Sequence, residues 1–249
     1  MTPGKKNAIV TPSIGSNNTW FTAAVKTITV ESPHVKTFTF TAPHPIQNLA
    51  GQHFELRLTA ENGYQAARLY SAATANNGTP SITLTIMNVP DGEVSPYLNH
   101  NLAVGDQVEL RGPFGKFFVW SENVTEPVLL IGGGSGVVPM HAFLSAHKET
   151  DSSQPMHLIY SARRYEDILY KDEFINNPQV TVTLTQEVPS TWDGQAGRIT
   201  PELIKRQLDT FNSAPLCYIC GMTGFVDAMT KALQSFGVPA ERIKTERFG

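Results

Sequence analysis

The sequence predicts two domains of different class, an all-β antiparallel barrel followed by an α/β domain built on a parallel sheet. Length is the first observation: 249 residues with 41% apolar side chains suffice for two modest cores. The second is a series of short β-rich runs divided by Gly, Pro, Asn or Asp from Trp20 to about Ser121, the spacing of an antiparallel barrel or sandwich. The third is a change of rhythm at Pro127, beyond which strand and helix patterns take turns. Together they place a loosely held tail at 1–17, the barrel at 18–122 and the α/β domain at 123–249, with no internal repeat.

In the first half AVKTITVES (24–32), KTFTFTA (36–42), HFELRLTA (53–60), SITLTIMNV (81–89) and DQVELRG (106–112) read as strands, because β-branched and aromatic residues recur at alternate positions. ARLYSAAT (67–74) reads as a further strand. A short helix holding Tyr97 and Leu98 follows PDGEVS, with Ser95 expected as its N-cap. In the second half the strands are PVLLIGG (127–133), MHLIYSA (156–162), QVTVTLT (179–185), PLCYICG (215–221) and RIKTE (242–246). Helices are expected at VVPMHAFLSAHKE (137–149), YEDILYKDEFIN (165–176), PELIKRQL (201–208) and GFVDAMTKALQSF (224–236).

Charge excludes some classes of partner. The formal net charge is −3, with 8 basic against 8 acidic residues through residue 122 and 11 against 14 beyond it, so no nucleic-acid footprint is expected. After Lys5 and Lys6 the chain is polar and broken by proline, which predicts neither a signal peptide nor a membrane span, and a cytoplasmic location follows. The two cysteines, Cys217 and Cys220, are spaced C-x-x-C. A redox pair or half a metal site is one reading; a buried strand, with the two thiols on opposite faces, is the stronger one. Two thiols exclude a cluster held by four, and no metal-ligand set is expected.

The stretch LLIGGGSGVVPM (129–140) is an apolar run ending in glycines ahead of a helix. A G-x-G-x-x-G pattern would need glycine at Val137 or Pro139, and no Lys-Ser or Lys-Thr pair follows, so neither common phosphate fingerprint applies. Its place at the end of the first strand of an α/β domain still suits a pyrophosphate, while close packing is the plainer use of such glycines. In ARLYSAAT, strand alternation puts Arg68 and Tyr70 on one face with Ser71 next to them. A cation, an aromatic ring and a small hydroxyl suit a flavin nucleotide, though an Arg and a Tyr share a strand face in many barrels.

In their order, GQHF (51–54), RLYS (68–71), DGEVS (91–95), RGPFGKF (111–117), GGGSGVVP (132–139), YSARR (160–164) and CGM (220–222) resemble the ferredoxin-NADP reductase superfamily. The likeness runs from about residue 18 to the end and is similar to bacterial stand-alone members without a fused plant-type ferredoxin domain. It implies an FAD-binding barrel, an NAD(P)-binding α/β domain, and hydride transfer from NAD(P)H to FAD. Single electrons would then pass to a small iron–sulfur protein, a ferredoxin or an oxygenase component. The resemblance implies that Arg68, Leu69, Tyr70 and Ser71 bind the flavin, with Ser71 near N5, and that Gly92, Val94 and Ser95 hold the second phosphate that distinguishes FAD from FMN. Gly133, Gly134, Ser135 and Pro139 would receive the pyrophosphate of the nicotinamide nucleotide. Cys220, Gly221 and Met222 would lie beside the nicotinamide, and Phe248 would cover the flavin. Ser71 and Cys220 are the catalytic candidates. Ser135-Gly136 stands where members often have Thr-Gly, and Met222 where they often have proline. Ser161, Arg163 and Arg164 favour NADP, with NAD as the alternative if the arginines only pair with Glu166 or Asp167. The expected protein is a monomer. A reductase of free flavin or small oxidants, and a non-catalytic nucleotide-binding module, are the competing readings.

Overall fold

The computed structural model of the chain describes residues 18–248, so the tail predicted at 1–17 lies outside the described residues. Six antiparallel strands form the first sheet: β1 (Phe21–Ser32), β2 (Val35–Asn48), β3 (His53–Thr59), β4 (Gln65–Ser71), β5 (Asn76–Met87) and β6 (Gln107–Phe114), in the order β4-β3-β6-β1-β2-β5. The outer strands meet through an Ala72–Leu84 bridge, and Ala73 N–H donates to the Thr83 carbonyl at 2.8 Å, so the sheet closes into a barrel. Alternation does what it predicts in β2, where Phe38 and Phe40 are fully buried in the barrel core and Thr37, Thr39 and Thr41 take the other face. The six-residue helix α1 (Ser95–His100) adds Leu98 to that core.

The second sheet is parallel throughout: β7 (Val128–Gly133), β8 (Met156–Ala162), β9 (Val180–Leu184), β10 (Gln195–Ala196), β11 (Leu216–Gly221) and β12 (Ile243–Arg247), in the order β10-β9-β8-β7-β11-β12. Central β7 is covered on both faces, and Val128 to Ile131 are fully buried, which is why its sequence is continuously apolar. Helices α2 (Val137–Glu149), α3 (Lys171–Phe174), α4 (Pro201–Leu208) and α5 (Thr223–Ser235) connect the strands. Leu129, Ile131, Cys217 and Ile219 face one layer of the core. Leu130, Leu158, Tyr218 and Cys220 face the other, which also contains Ala50, Ala73, Phe118 and Trp120 from the barrel side, so that face of the sheet and α2 join the two halves. Cys217 and Cys220 are free, buried and on opposite faces, as a strand requires.

Two expectations are corrected. The helix expected over 165–176 is a 3-10 turn at Tyr165–Asp167, an extended Ile168, and the four-residue α3. The break lies at Tyr170, whose φ of 53° is left-handed, because its ring and hydroxyl are drawn into the barrel contact described below. Ser95 is not the N-cap of α1: Val94 holds that position, and the Ser95 hydroxyl instead accepts from Val89 N–H at 3.1 Å. No helix among the described residues is long and apolar enough to cross a membrane.

Candidate active site

The direction of chain growth along the parallel sheet reverses at β7: β8 and β9 lie to one side and β11 and β12 to the other. A crevice at such a reversal, beyond the carboxyl ends of the strands, is where open α/β sheets take ligands. Register puts Gly133 beside Ser161, and Gly132 beside Cys220, so the glycine loop occupies the middle of that edge. The loop is built by close approach. A Cβ on Gly136 would stand 2.2 Å from the Cys220 carbonyl oxygen, and one on Gly133 3.0 Å from the Phe225 ring. Gly134 has a φ of +55° with open space around it, so the backbone at the head of α2 is uncovered, and that helix has no acidic residue in its first turn. Those features fit an anion such as a pyrophosphate. Pro139 lies buried in the first turn of α2, where a missing N–H costs no helix bond.

On the barrel, Arg68 is exposed and pairs with Glu93 at 3.3 Å, and Glu93 also accepts from the Tyr64 hydroxyl at 2.8 Å. Glu93, in the segment Gly92 to Ser95, thus lies beside Arg68. Tyr70 is half-buried against the barrel core, and burial pushes its phenol up to about 12, so it is a neutral ring at physiological pH. Leu69 points the other way and is 57% exposed. Ser71 is buried and stands opposite His53 on β3.

His53 is the link to the other half. Its Nδ1 lies 3.8 Å from Oε1 of Glu246 on β12, and Glu246 is the register neighbour of Cys220. Burial lowers the His53 imidazole and raises the Glu246 carboxyl to about 7, so at neutral pH this is not a full ion pair. The second Glu246 oxygen, Oε2, is buried with no hydrogen-bond partner. Burial, followed by the Glu246 charge, pushes the Cys220 thiol well above its ordinary value, so Cys220 is a neutral, polarisable side chain and not a thiolate. Phe248 N–H donates to the Gly221 carbonyl at 3.0 Å, which ties the chain end to the Cys-Gly step, and the ring is partly buried against the shared core. Ser71 and Cys220, predicted from separate halves, are thus linked through their strand neighbours His53 and Glu246, two residues that the motif reading did not single out as site residues. The signal was present, since His53 lies in GQHF and Glu246 two residues before Phe248.

Moving a carboxyl from 4.5 to about 7 by burial disfavours the folded state once the group ionises. Protons are bound in the folded but not the unfolded chain between those values, so stability falls as pH rises through that window, by on the order of 3 kcal/mol. Glu246→Gln is expected to be more stable than the wild type at pH 8 and nearly equal to it at pH 5, in urea unfolding at equal FAD saturation. The same difference at both pH values would contradict the assignment.

Among the described residues, the side chains of Ser71, Ser135, Ser161 and Arg163 make no hydrogen bond or ion pair, although Ser71 is buried. Arg164, by contrast, is bound to Glu166 at 3.4 Å and Glu187 at 3.2 Å. Arg163 is therefore the uncommitted cation beyond β8. Met222 is 69% exposed at the head of α5. The free Ser71 hydroxyl, the Arg68 cation and the half-buried Tyr70 ring form a donor set that fits a flavin dinucleotide on the barrel side, and the open glycine loop fits a second dinucleotide.

Comparison with known proteins agrees with this division. The oxidoreductase FAD-binding domain family matches residues 22–119, and the oxidoreductase NAD-binding domain family matches residues 130–231. NADH-cytochrome b5 reductase 1 of Emericella nidulans is 30% identical over 237 residues, covering 85% of this chain and 72% of that protein. The FAD/NAD-binding domain of nitric oxide dioxygenase from Vibrio cholerae superposes with a TM-score of 0.79 at 27% identity, covering 92% of this chain and 98% of that one. The ferredoxin reductase in carbazole 1,9a-dioxygenase gives a TM-score of 0.79 at 27% identity, over 93% of this chain and 70% of that one.

Proposed function

This chain belongs to the ferredoxin-NADP reductase superfamily of FAD- and NAD(P)-binding oxidoreductases, and from that premise we propose that it carries reducing equivalents from NADPH to a small iron–sulfur protein, a ferredoxin or an oxygenase component. The observation that supports this reading most is the 3.8 Å contact of His53 with Glu246, the strand neighbours of Ser71 and Cys220 in the two halves. A pure binding module has no need to bring a flavin strand and a nicotinamide strand to one point. In this reading residues 18–122 hold FAD and residues 123–249 hold the nicotinamide nucleotide, in a cytoplasmic monomer.

Bound FAD supplies the redox chemistry, accepting a hydride from the nicotinamide and releasing electrons singly. The chain's own residues bind, orient and exclude water. Arg68 pairs with the FAD pyrophosphate, assisted by the Gly92, Val94 and Ser95 segment, while Leu69 shapes the outer edge and the Tyr70 ring packs on the flavin. The Ser71 hydroxyl donates to the flavin's polar edge. Backbone N–H groups of Gly133, Gly134 and Ser135 take the nucleotide pyrophosphate ahead of Pro139. Cys220 and Gly221 give the nicotinamide a flat, neutral seat, Met222 borders it, and Phe248 covers the flavin from the chain end. Glu246, whose carboxyl burial raises to about 7, is partly protonated near neutral pH at the point where the two halves meet.

Cofactor choice rests on Ser161 and Arg163, with Arg164 engaged by two carboxylates. Arg163→Ala is expected to raise the KM for NADPH about tenfold or more, the loss of one charge-assisted contact, and to leave that for NADH nearly unchanged. Equal effects on both nucleotides would count against a 2′-phosphate contact. The acceptor is tested by steady-state reduction of a ferredoxin, cytochrome b5 and free FMN under one set of conditions. Fast ferredoxin turnover supports the proposal. Because one relative is a cytochrome b5 reductase, a haem acceptor is the second reading, and preferential cytochrome b5 reduction would replace the first.

A further inference from the structure

His141 lies in the second turn of α2, the helix that begins at the glycine loop, and is 7% exposed. Its Nδ1 is 2.7 Å from the carbonyl oxygen of Ala73, two residues beyond Ser71 at the point where the barrel closes. Its Nε2 is 3.1 Å from Oε2 of Glu173, a carboxyl that this hydrogen bond holds below its ordinary range. The imidazole stacks on Tyr170 with ring centroids 3.8 Å apart and planes 16° apart. Tyr170 makes the second crossing: its hydroxyl donates to Thr85 Oγ1 on β5 at 2.7 Å, and its backbone N–H donates to Glu31 on β1 at 3.3 Å. A left-handed tyrosine costs roughly 1–2 kcal/mol, so the contact is retained against backbone strain. The helix that carries the nucleotide loop is thereby held against the barrel just beyond the strand that carries the flavin motif.

We propose that His141 is a positioning residue for transfer between the nicotinamide nucleotide and the flavin, keeping the glycine loop and the Ser71 strand in one register; this rests on the function proposed above. Hydride transfer is sensitive to such register, and a misplacement of about 1 Å can lower a rate by about a hundredfold. The test is anaerobic single-turnover reduction of the FAD-loaded full-length protein by NADPH, for the wild type, His141→Leu and His141→Asn. An asparagine amide retains a donor near the position of Nδ1. His141→Leu is expected to lower the limiting rate by about tenfold to a hundredfold, with nucleotide Kd and FAD content nearly unchanged, and His141→Asn is expected to recover most of it. An unchanged rate in the leucine variant, an asparagine variant no better, or a parallel loss of FAD and affinity would overturn the proposal. Amide hydrogen exchange without nucleotide gives an independent reading. The leucine variant should exchange faster both at 134–141 and at 71–73, and unchanged protection would overturn the proposal too. A wild type that neither NADPH nor NADH reduces would defeat the proposed function, and the exchange result would still decide the role of His141 in register.

Discussion

Gly51→Ala is expected to destabilise the protein by about 4 kcal/mol or more, and to lower its melting temperature by about 10 °C. Gly51 has a φ of +89°, which any other residue adopts at a cost. A Cβ there would also stand 2.0 Å from the Phe118 carbonyl oxygen and 2.6 Å from the Phe143 ring on α2, so the turn cannot accept it without moving away from both. Gly63 provides the control, because its φ of +84° is similar and nothing lies within 4 Å of its Cβ position. Gly63→Ala should cost only the backbone strain, roughly 1 kcal/mol. Thermal unfolding of both variants separates the two contributions. Equal losses would mean that the close packing of Phe118 and Phe143 around Gly51 adds nothing to the cost of the substitution.

Arg68→Ala and Glu93→Ala are expected to change FAD affinity in opposite directions. The guanidinium pairs with Glu93 at 3.3 Å, and a bound pyrophosphate would compete with that carboxylate for it. Removing Arg68 deletes the charge-assisted hydrogen bonds to the phosphate, and FAD should bind about a hundredfold or more weakly. Removing Glu93 frees the arginine and lifts a negative charge from the phosphate's neighbourhood, and FAD should bind several-fold more tightly, more clearly at low salt. Both are read from FAD fluorescence quenching on titration of the flavin-stripped protein. Weaker binding in Glu93→Ala would show that the carboxylate positions Arg68 rather than competing for it.

Much of this architecture is legible in the sequence, and the failures have identifiable causes. Alternation such as that of Phe38 and Phe40 reports a one-sided strand, and the unbroken apolar run of Val128 to Ile131 reports a strand covered on both faces. Helix periodicity over 165–176 was misleading, because Ile168 and Leu169 are buried by tertiary contact and Tyr170 leaves the helical region to reach Thr85. Ser95 has the right chemistry for an N-cap, yet its hydroxyl is claimed by Val89. The motifs locate Ser71 and Cys220, whereas His53 and Glu246 read as ordinary strand residues until the two halves are assembled. The same holds for His141, a polar residue in an apolar helix whose partner lies on the barrel. Local pattern carries the elements; partners brought together from distant parts of the chain do not show in it.

The most direct test of the central claim is the visible spectrum of the purified protein after incubation with FAD, followed by anaerobic titration with NADPH and, separately, NADH. A flavin band that one equivalent of nucleotide bleaches, with NADPH effective at the lower concentration, is the predicted result. A protein that takes up no FAD, or whose flavin neither nucleotide reduces, would contradict the proposed transfer of reducing equivalents between the two halves.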